Sequence, residues 1–252
     1  MTIKPNSKLT EKIAIVTGAS KGIDRLRYNL VKGLCQKYGG IVYLTASDEN
    51  RGLEAVRKLN ELGLKAIFHQ LDVSDKNSVE KFANFVKSKH GYFDILVNNA
   101  AILEWGQVYP SYEAAKKNID INYKSLLTIE NYLYPLLRDG ARVVNTSIAF
   151  YLSNSEEIHL SNQENKKKWI ETLMDSDLTT EKINEFVNEY LESVKNGTFN
   201  KNDFADGGEH AEHRVSKIVL TALTKVQQRK YKDRNISIRT TLAYRKIIKQ
   251  NK

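Results

Sequence analysis

Several groups of residues in this chain have the types and spacing of chemistry. Gly18 and Gly22 belong to Thr17-Gly18-Ala19-Ser20-Lys21-Gly22, which follows the apolar run Ile13-Ala14-Ile15-Val16 and precedes a helical stretch reaching about Tyr38. A glycine loop between strand and helix binds phosphate. Its first glycine permits the tight turn, its second lets the backbone approach the anion, and the positive helix end faces the charge. His213 and Lys217 stand four apart on one helical stretch and so share a face. Asn98-Asn99-Ala100 follows one apolar run and Asp72 another, Ser147 lies just past a third, and Asn122 is read as heading a helix after Ile119-Asp120-Ile121. Strand ends on one edge of a sheet are where open α/β folds bind ligands.

The elements that must position these groups alternate in period. The run Ile13-Ala14-Ile15-Val16 reads as a strand buried on both faces, and Ile41-Val42-Tyr43-Leu44, Lys65 to His69, Ile95-Leu96-Val97, Arg142-Val143-Val144 and Ile236-Ser237-Ile238 read as further strands. Helical patterns separate them, from Arg51 to Leu62, around Val79 to Val86, and from about Ala211 to Tyr231. That alternation predicts βαβ units in a parallel sheet with right-handed crossovers. Residues 153–206 break the pattern: they hold two helical stretches, near Lys166–Met174 and Thr180–Lys195, and no strand. This segment is too short for a core of its own and reads as an inserted helical lobe.

Composition narrows the class. With 41% hydrophobic and 27% charged residues in 252, the chain is of globular type and can bury a sizeable core, which excludes disordered and fibrous classes. No run approaches eighteen apolar residues, the first residues carry no apolar signal region, and Cys35 is the single cysteine. The expectation is a soluble cytoplasmic protein without membrane, metal or disulfide chemistry. The formal charge of +9 is uneven: residues 214–252 carry twelve Lys/Arg against Asp233, and the remainder is nearly balanced. Tyr231 and Tyr244 are too sparse for a base-stacking platform, so this basic stretch is expected to be a solvated face rather than a nucleic-acid site.

Taken together, Ile15 to Ile23, His69-Gln70-Leu71-Asp72-Val73, Asp94 to Ala100, Arg142-Val143-Val144-Asn145 and Arg214-Val215-Ser216-Lys217-Ile218 resemble the short-chain dehydrogenase/reductases, most closely the monomeric NADPH-dependent carbonyl reductase branch. The likeness runs from about residue 9 to 240. It implies an α/β fold, a Rossmann-like doubly wound parallel sheet, with residues 1–252 forming one NAD(P)-binding domain, 153–206 as its helical insertion and a truncated C-terminal sheet edge. It implies a monomer that reduces ketones, aldehydes or quinones, small-molecule carbonyl substrates, by hydride transfer from NADPH. In that family a tyrosine protonates the carbonyl oxygen, a lysine four residues on tunes it and holds the ribose, a serine bonds the oxygen, and an asparagine completes a proton relay. The resemblance carries these roles to Lys217, Asn122 and Ser147. It carries cofactor contacts to Gly18, Gly22 and Ile23 in the loop, Asp72 at the adenine, Asn99 near the ribose, and Lys21 with Arg51 at the 2′-phosphate. No acid ends the second strand itself, Ser47 and Asp48 coming slightly later, which favours NADP over NAD.

The chain departs from the family at four places. His213 stands where the tyrosine belongs. A phenol near pKa 10 is a placed proton donor, whereas an imidazole of ordinary pKa is mostly neutral at pH 7, and loss of a general acid costs on the order of 10²–10⁴-fold in rate. Asn145-Thr146-Ser147-Ile148 offers one serine: without a gap Ile148 takes the catalytic position, and with a one-residue deletion Ser147 takes it, the preferred reading. Asp24-Arg25-Leu26-Arg27 comes after Gly22-Ile23 in place of a third glycine and brings a negative charge near the pyrophosphate site. The sixth strand runs into Leu242-Ala243-Tyr244 with no Pro-Gly, so lid and final strand look curtailed. Two functions are therefore expected from the sequence: a carbonyl reductase of impaired activity with His213 in the tyrosine's place, or a catalytically inactive relative serving as scaffold or binding protein.

Overall fold

A computed structural model describes residues 11–20, 27–103, 111–147, 164–200 and 211–242. Strands β1 (Ile13–Val16), β2 (Ile41–Ala46), β3 (Ile67–Gln70), β4 (Phe93–Asn98), β5 (Leu137–Ser147) and β6 (Ser237–Leu242) form one sheet in the order β3-β2-β1-β4-β5-β6, every pair parallel. Between them lie α1 (Arg27–Lys37), α2 (Glu49–Glu61), α3 (Lys76–Lys89), α4 (Tyr112–Ile119), a π turn (Asp120–Lys124), α5 (Ser125–Leu133), α6 (Glu164–Met174), α7 (Thr180–Lys195) and α8 (Ala211–Lys230). This is the Rossmann-like doubly wound arrangement. The strand order reverses between β1 and β4, which opens a crevice at the carboxyl edge of the sheet.

Local chemistry explains the elements. All four residues of β1 are buried, as a central parallel strand covered on both faces requires. Helices begin where a short polar side chain takes an orphan amide: Asp48 accepts from Arg51 N, Asp75 from Asn77 N, Ser111 from Ala114 N and Thr179 from Lys182 N. One face of the sheet packs Ala14, Val16, Val42 and Leu44 with Val31, Ala55 and Leu59. The other packs Ile13, Ile15, Tyr43, Leu96 and Val143 with residues of α3, α5 and α8.

Trp169, Leu173, Leu178, Ile183, Phe186 and Tyr190, from α6, α7 and the turn between them, belong to that second cluster. The inserted helices therefore share the core of the sheet domain, packing on α4 and α8. One expectation is corrected: Asn122 does not head a helix. It lies in the π turn that joins α4 to α5 without a break. A π turn adds a residue to one helical turn, shifts the phase of the helix beyond it, and recurs at functional sites.

Candidate active site

The site divides at the crevice. On the β1 side, Thr17 and Asn99 bind the glycine loop to the end of β4. Thr17 N donates to Val97 O at 3.0 Å, and Thr17 Oγ1 accepts from the backbone amides of Asn99 and Ala100, both at 3.1 Å. Asn99 Nδ2 donates to Thr17 O at 2.9 Å and to Gly18 O at 3.3 Å. Gly18 takes φ 61°, and a Cβ there would lie 2.5 Å from Ala100 Cα, so glycine is demanded both by conformation and by close approach. Asn99 acts on this edge through the loop it holds. Lys21, Gly22 and Ile23, with Asp24, lie outside the described residues.

Two more expected cofactor residues occupy the same edge. Asp72, behind β3, accepts from Ser74 N at 2.9 Å and from the Ser74 hydroxyl at 2.6 Å. Arg51, exposed in the first turn of α2, pairs with Asp48 at 3.2 Å.

On the β5 side, α8 carries His213 and Lys217, both buried. Lys217 Nζ donates to Thr146 O at 2.8 Å, anchoring the ammonium at the end of β5. The Asn122 amide grips the backbone of Ile102 from both sides: Oδ1 accepts from Ile102 N at 2.9 Å and Nδ2 donates to Ile102 O at 3.1 Å. Nδ2 also lies 2.9 Å from Ser216 Oγ, whose hydroxyl donates to His213 O at 2.7 Å. His213 Nδ1 lies 2.9 Å from the same Ile102 carbonyl. A carbonyl only accepts, so Nδ1 carries hydrogen in this arrangement.

Ser147 is not brought to this group. Thr221 spends its single hydroxyl hydrogen on Lys217 O at 2.9 Å, so the 2.9 Å contact between Ser147 and Thr221 has Ser147 as donor. Thr221 lies eight residues past His213 on α8, about 12 Å along the axis. The serine hydrogen is committed to α8, and Ile148, the ungapped alternative, lies outside the described residues. The structure thus joins His213 and Asn122 through Ile102, seats the Lys217 ammonium on the carbonyl beside Ser147, and turns the Ser147 hydroxyl to Thr221.

Sequence reasoning missed Ile102, whose carbonyl orients both His213 and Asn122, and Ser216, which ties Asn122 to the turn of α8 bearing His213. Ser216 was legible as the hydroxyl next to Lys217; a backbone carbonyl has no sequence signal. It also missed the buried chain behind the site. Asn98 Nδ2 donates to Asn145 Oδ1 at 2.8 Å, Asn145 Nδ2 reaches Thr224 Oγ1 at 2.9 Å and Gln227 Oε1 at 3.2 Å, and Gln227 Nε2 donates to Glu130 at 2.8 Å. Glu130 also binds Lys230 at 2.7 Å. Among the described residues no three His, Cys, Asp or Glu converge as a metal site.

A parallel sheet of this order with a glycine loop at its switch point is the architecture of nucleotide-dependent oxidoreductases. The chain belongs to the short-chain dehydrogenase/reductase family: residues 12–155 match the family model described as short chain dehydrogenase. Among curated relatives it is similar to carbonyl reductase (NADPH) 1 of Bos taurus, 34% identical over 219 residues, covering 86% of this chain and 74% of the relative. Carbonyl reductase (NADPH) 3 of Mus musculus is 31% identical over 232 residues, covering 92% and 79%. Among solved structures, salutaridine reductase from Papaver somniferum superposes with TM-score 0.77 at 28% identity, covering 92% of this chain and 86% of that one. Menthone neomenthol reductase from Mentha piperita gives 0.76 at 29%, covering 92% and 89%.

Proposed function

We propose that this protein binds NADPH along the carboxyl edge of its sheet and reduces small ketones, aldehydes or quinones slowly, with His213 in the place of the family's tyrosine. The observation that carries the reading is Lys217, buried and hydrogen-bonded to the end of β5 one helical turn beyond His213. The residues present fit a dinucleotide. The bare turn at Gly18, the exposed Arg51 guanidinium past β2 and the Lys217 ammonium past β5 lie on one edge, offering backbone donors and cations to phosphates and ribose. The bound cofactor supplies hydride. Asn99 and Thr17 hold the loop that receives it, and Lys217 holds positive charge near its ribose. Relatives named as NADPH carbonyl reductases support the choice of NADP over NAD.

His213 supplies the proton. Because Nδ1 keeps its hydrogen against Ile102 O, the transferable proton sits on Nε2 and exists only in the imidazolium. Carbonyl reduction therefore slows as rising pH removes that proton. A phenol, ordinarily titrating near pH 10, imposes no such fall at neutral pH. His213→Tyr is expected to raise turnover of a generic quinone about 10–100-fold and to remove this pH dependence.

A second reading is favoured by Ser147, whose hydrogen is given to Thr221: the protein binds cofactor and performs no turnover. Titration with NADPH and NADH, followed by quinone turnover of wild type and Lys217→Ala, separates the readings. Saturable NADPH binding with turnover that disappears in Lys217→Ala supports the reductase. Binding without turnover supports the second reading, and no binding at millimolar cofactor removes both. We also read the chain as a cytoplasmic monomer, since α6 and α7 cover α4 and α8. Among the described residues no helix is long and apolar enough to cross a membrane.

A further inference from the structure

We propose that Asn184, on α7 of the inserted lobe, is a positioning residue of the site: through the Tyr123 hydroxyl it fixes the π turn that holds Asn122 against Ile102. Tyr123 is fully buried and donates to Asn184 Oδ1 at 2.9 Å. Burial, with the Glu181 and Glu130 charges nearby, raises this phenol, so the hydroxyl keeps its hydrogen. Asn184 stands three residues before Val187 and seven before Leu191, both buried, so it lies on the apolar stripe of α7. A polar side chain in such a place costs stability unless it is bonded, and Tyr123 supplies the bond.

The π turn depends on bracing of this kind. Reversion to ordinary α-helical spacing would swing Asn122 by about 100° around the axis, the rotation of one residue. Side chains take up carbonyls around the turn: Asn118 Nδ2 donates to Ala114 O at 3.0 Å and Ser125 Oγ to Ile121 O at 2.6 Å. On its outer face Asp120 pairs with Lys116 and Lys124, contacts that are partly exposed and weak. On its inner side, consecutive side chains diverge and grip different partners. Asn122 takes Ile102 and, on α8, Ser216, while Tyr123 takes Asn184 on α7. The turn is thereby fixed in rotation from two directions. Without Asn184 the Asn122 grip on Ile102 loosens, and the Ile102 carbonyl no longer holds His213 Nδ1 in place.

The test is NMR of the full chain with isotope-labelled imidazole nitrogens, the His213 signals being assigned from a His213→Gln spectrum. In the neutral ring of the wild type Nδ1 carries the hydrogen, and an imidazole without its acceptor redistributes that hydrogen between the two nitrogens. Tyr123→Phe, which keeps the buried ring, and Asn184→Leu are both expected to shift His213 toward the Nε2–H form. They are expected to lower kcat for a quinone about tenfold with KM unchanged, since one hydrogen bond that orients the site is lost. Asn184→Asp keeps an acceptor oxygen and restores both readouts. Val187→Ala loosens α7 without touching the bond and leaves both as in wild type. The effect on turnover rests on the reductase reading, whereas the nitrogen signal does not. Absence of turnover in wild type therefore removes that reading, and the tautomer alone decides the role of Asn184. The proposal is overturned if folded Tyr123→Phe keeps the wild-type tautomer, if Asn184→Asp fails to restore it, or if Val187→Ala shifts it equally.

Discussion

The two sides of the crevice are built by different means. On the β1 side the backbone itself makes the site: Thr17 and Asn99 together supply six hydrogen-bond contacts between the glycine loop and the end of β4, and Gly18 meets Ala100 with no room for a Cβ. On the β5 side the scaffold is equally well bonded, and its side chains are committed to one another: the His213 ring to Ile102 O, and the Ser147 hydroxyl to Thr221. Packing and hydrogen bonding thus hold both sides of the edge alike, and the proposed loss of reactivity is a matter of which side chains stand there. Stability and reactivity are separable properties of the same residues.

The largest effect expected from breaking the first side is Gly18→Val. Positive φ and a 2.5 Å approach to backbone both oppose a β-branched side chain, at a cost of about 3 kcal/mol or more. Urea denaturation should show that loss, and NADPH titration should show no binding. A variant that folds and binds normally would mean that the loop is not the cofactor's cradle.

On the second side, Asn145→Ala should cost about 2–4 kcal/mol, because it removes partners from Asn98, Thr224 and Gln227 inside a buried network. Denaturant midpoints compared with wild type measure it. A loss below about 0.5 kcal/mol would show that the catalytic side is loosely held and that its altered chemistry reflects a relaxed fold.

Legibility in the sequence divides along the same line. The strands were readable because each is a short apolar run, and Gly18 and Asn98-Asn99 because they sit directly behind two of them. His213 and Lys217 were readable from helical spacing alone. Ser147 was not: its donor role is set by Thr221, seventy-four residues away in sequence, and no local pattern predicts which hydroxyl another will face. Asn122 reads as a helix start because a π turn has no compositional mark. The Ser111 cap and the buried Ala114, Ala115 and Ile119 that begin that helix earlier were available signals.

Buried phenols sharpen the comparison by pH. Burial, reinforced by the Glu11 charge, pushes Tyr43 on the β2 side up to about 12. Burial raises Tyr123, Tyr134 and Tyr190 as well, with Glu181, Glu130 and Glu212 respectively adding repulsion. Each folded value lies above the unfolded one near 10, so the native state holds protons the unfolded chain has released. Stability is fully present below about pH 10 and falls above it by about 1.4 kcal/mol per pH unit for each phenol. With more raised tyrosines on the α5 to α8 side, alkaline unfolding should begin there. Tyrosinate absorbance should rise together with loss of ellipticity; phenolate formed in a protein that keeps its ellipticity would contradict this.

The smallest effect on stability belongs to Arg51. Its pairing with Asp48 at 3.2 Å is between side chains 51% and 40% exposed, and such pairs contribute about 0–1 kcal/mol. Arg51→Ala keeps the backbone amide that Asp48 caps, so denaturation should move by no more than about 0.5 kcal/mol. Cofactor preference should move further. If this guanidinium leaves Asp48 for a 2′-phosphate, its removal weakens NADPH about tenfold and leaves NADH unchanged, since a charge-assisted pair to phosphate contributes roughly 1.5 kcal/mol. Equal loss for both cofactors would put Arg51 at the pyrophosphate, and no loss for either would show that Asp48 retains it.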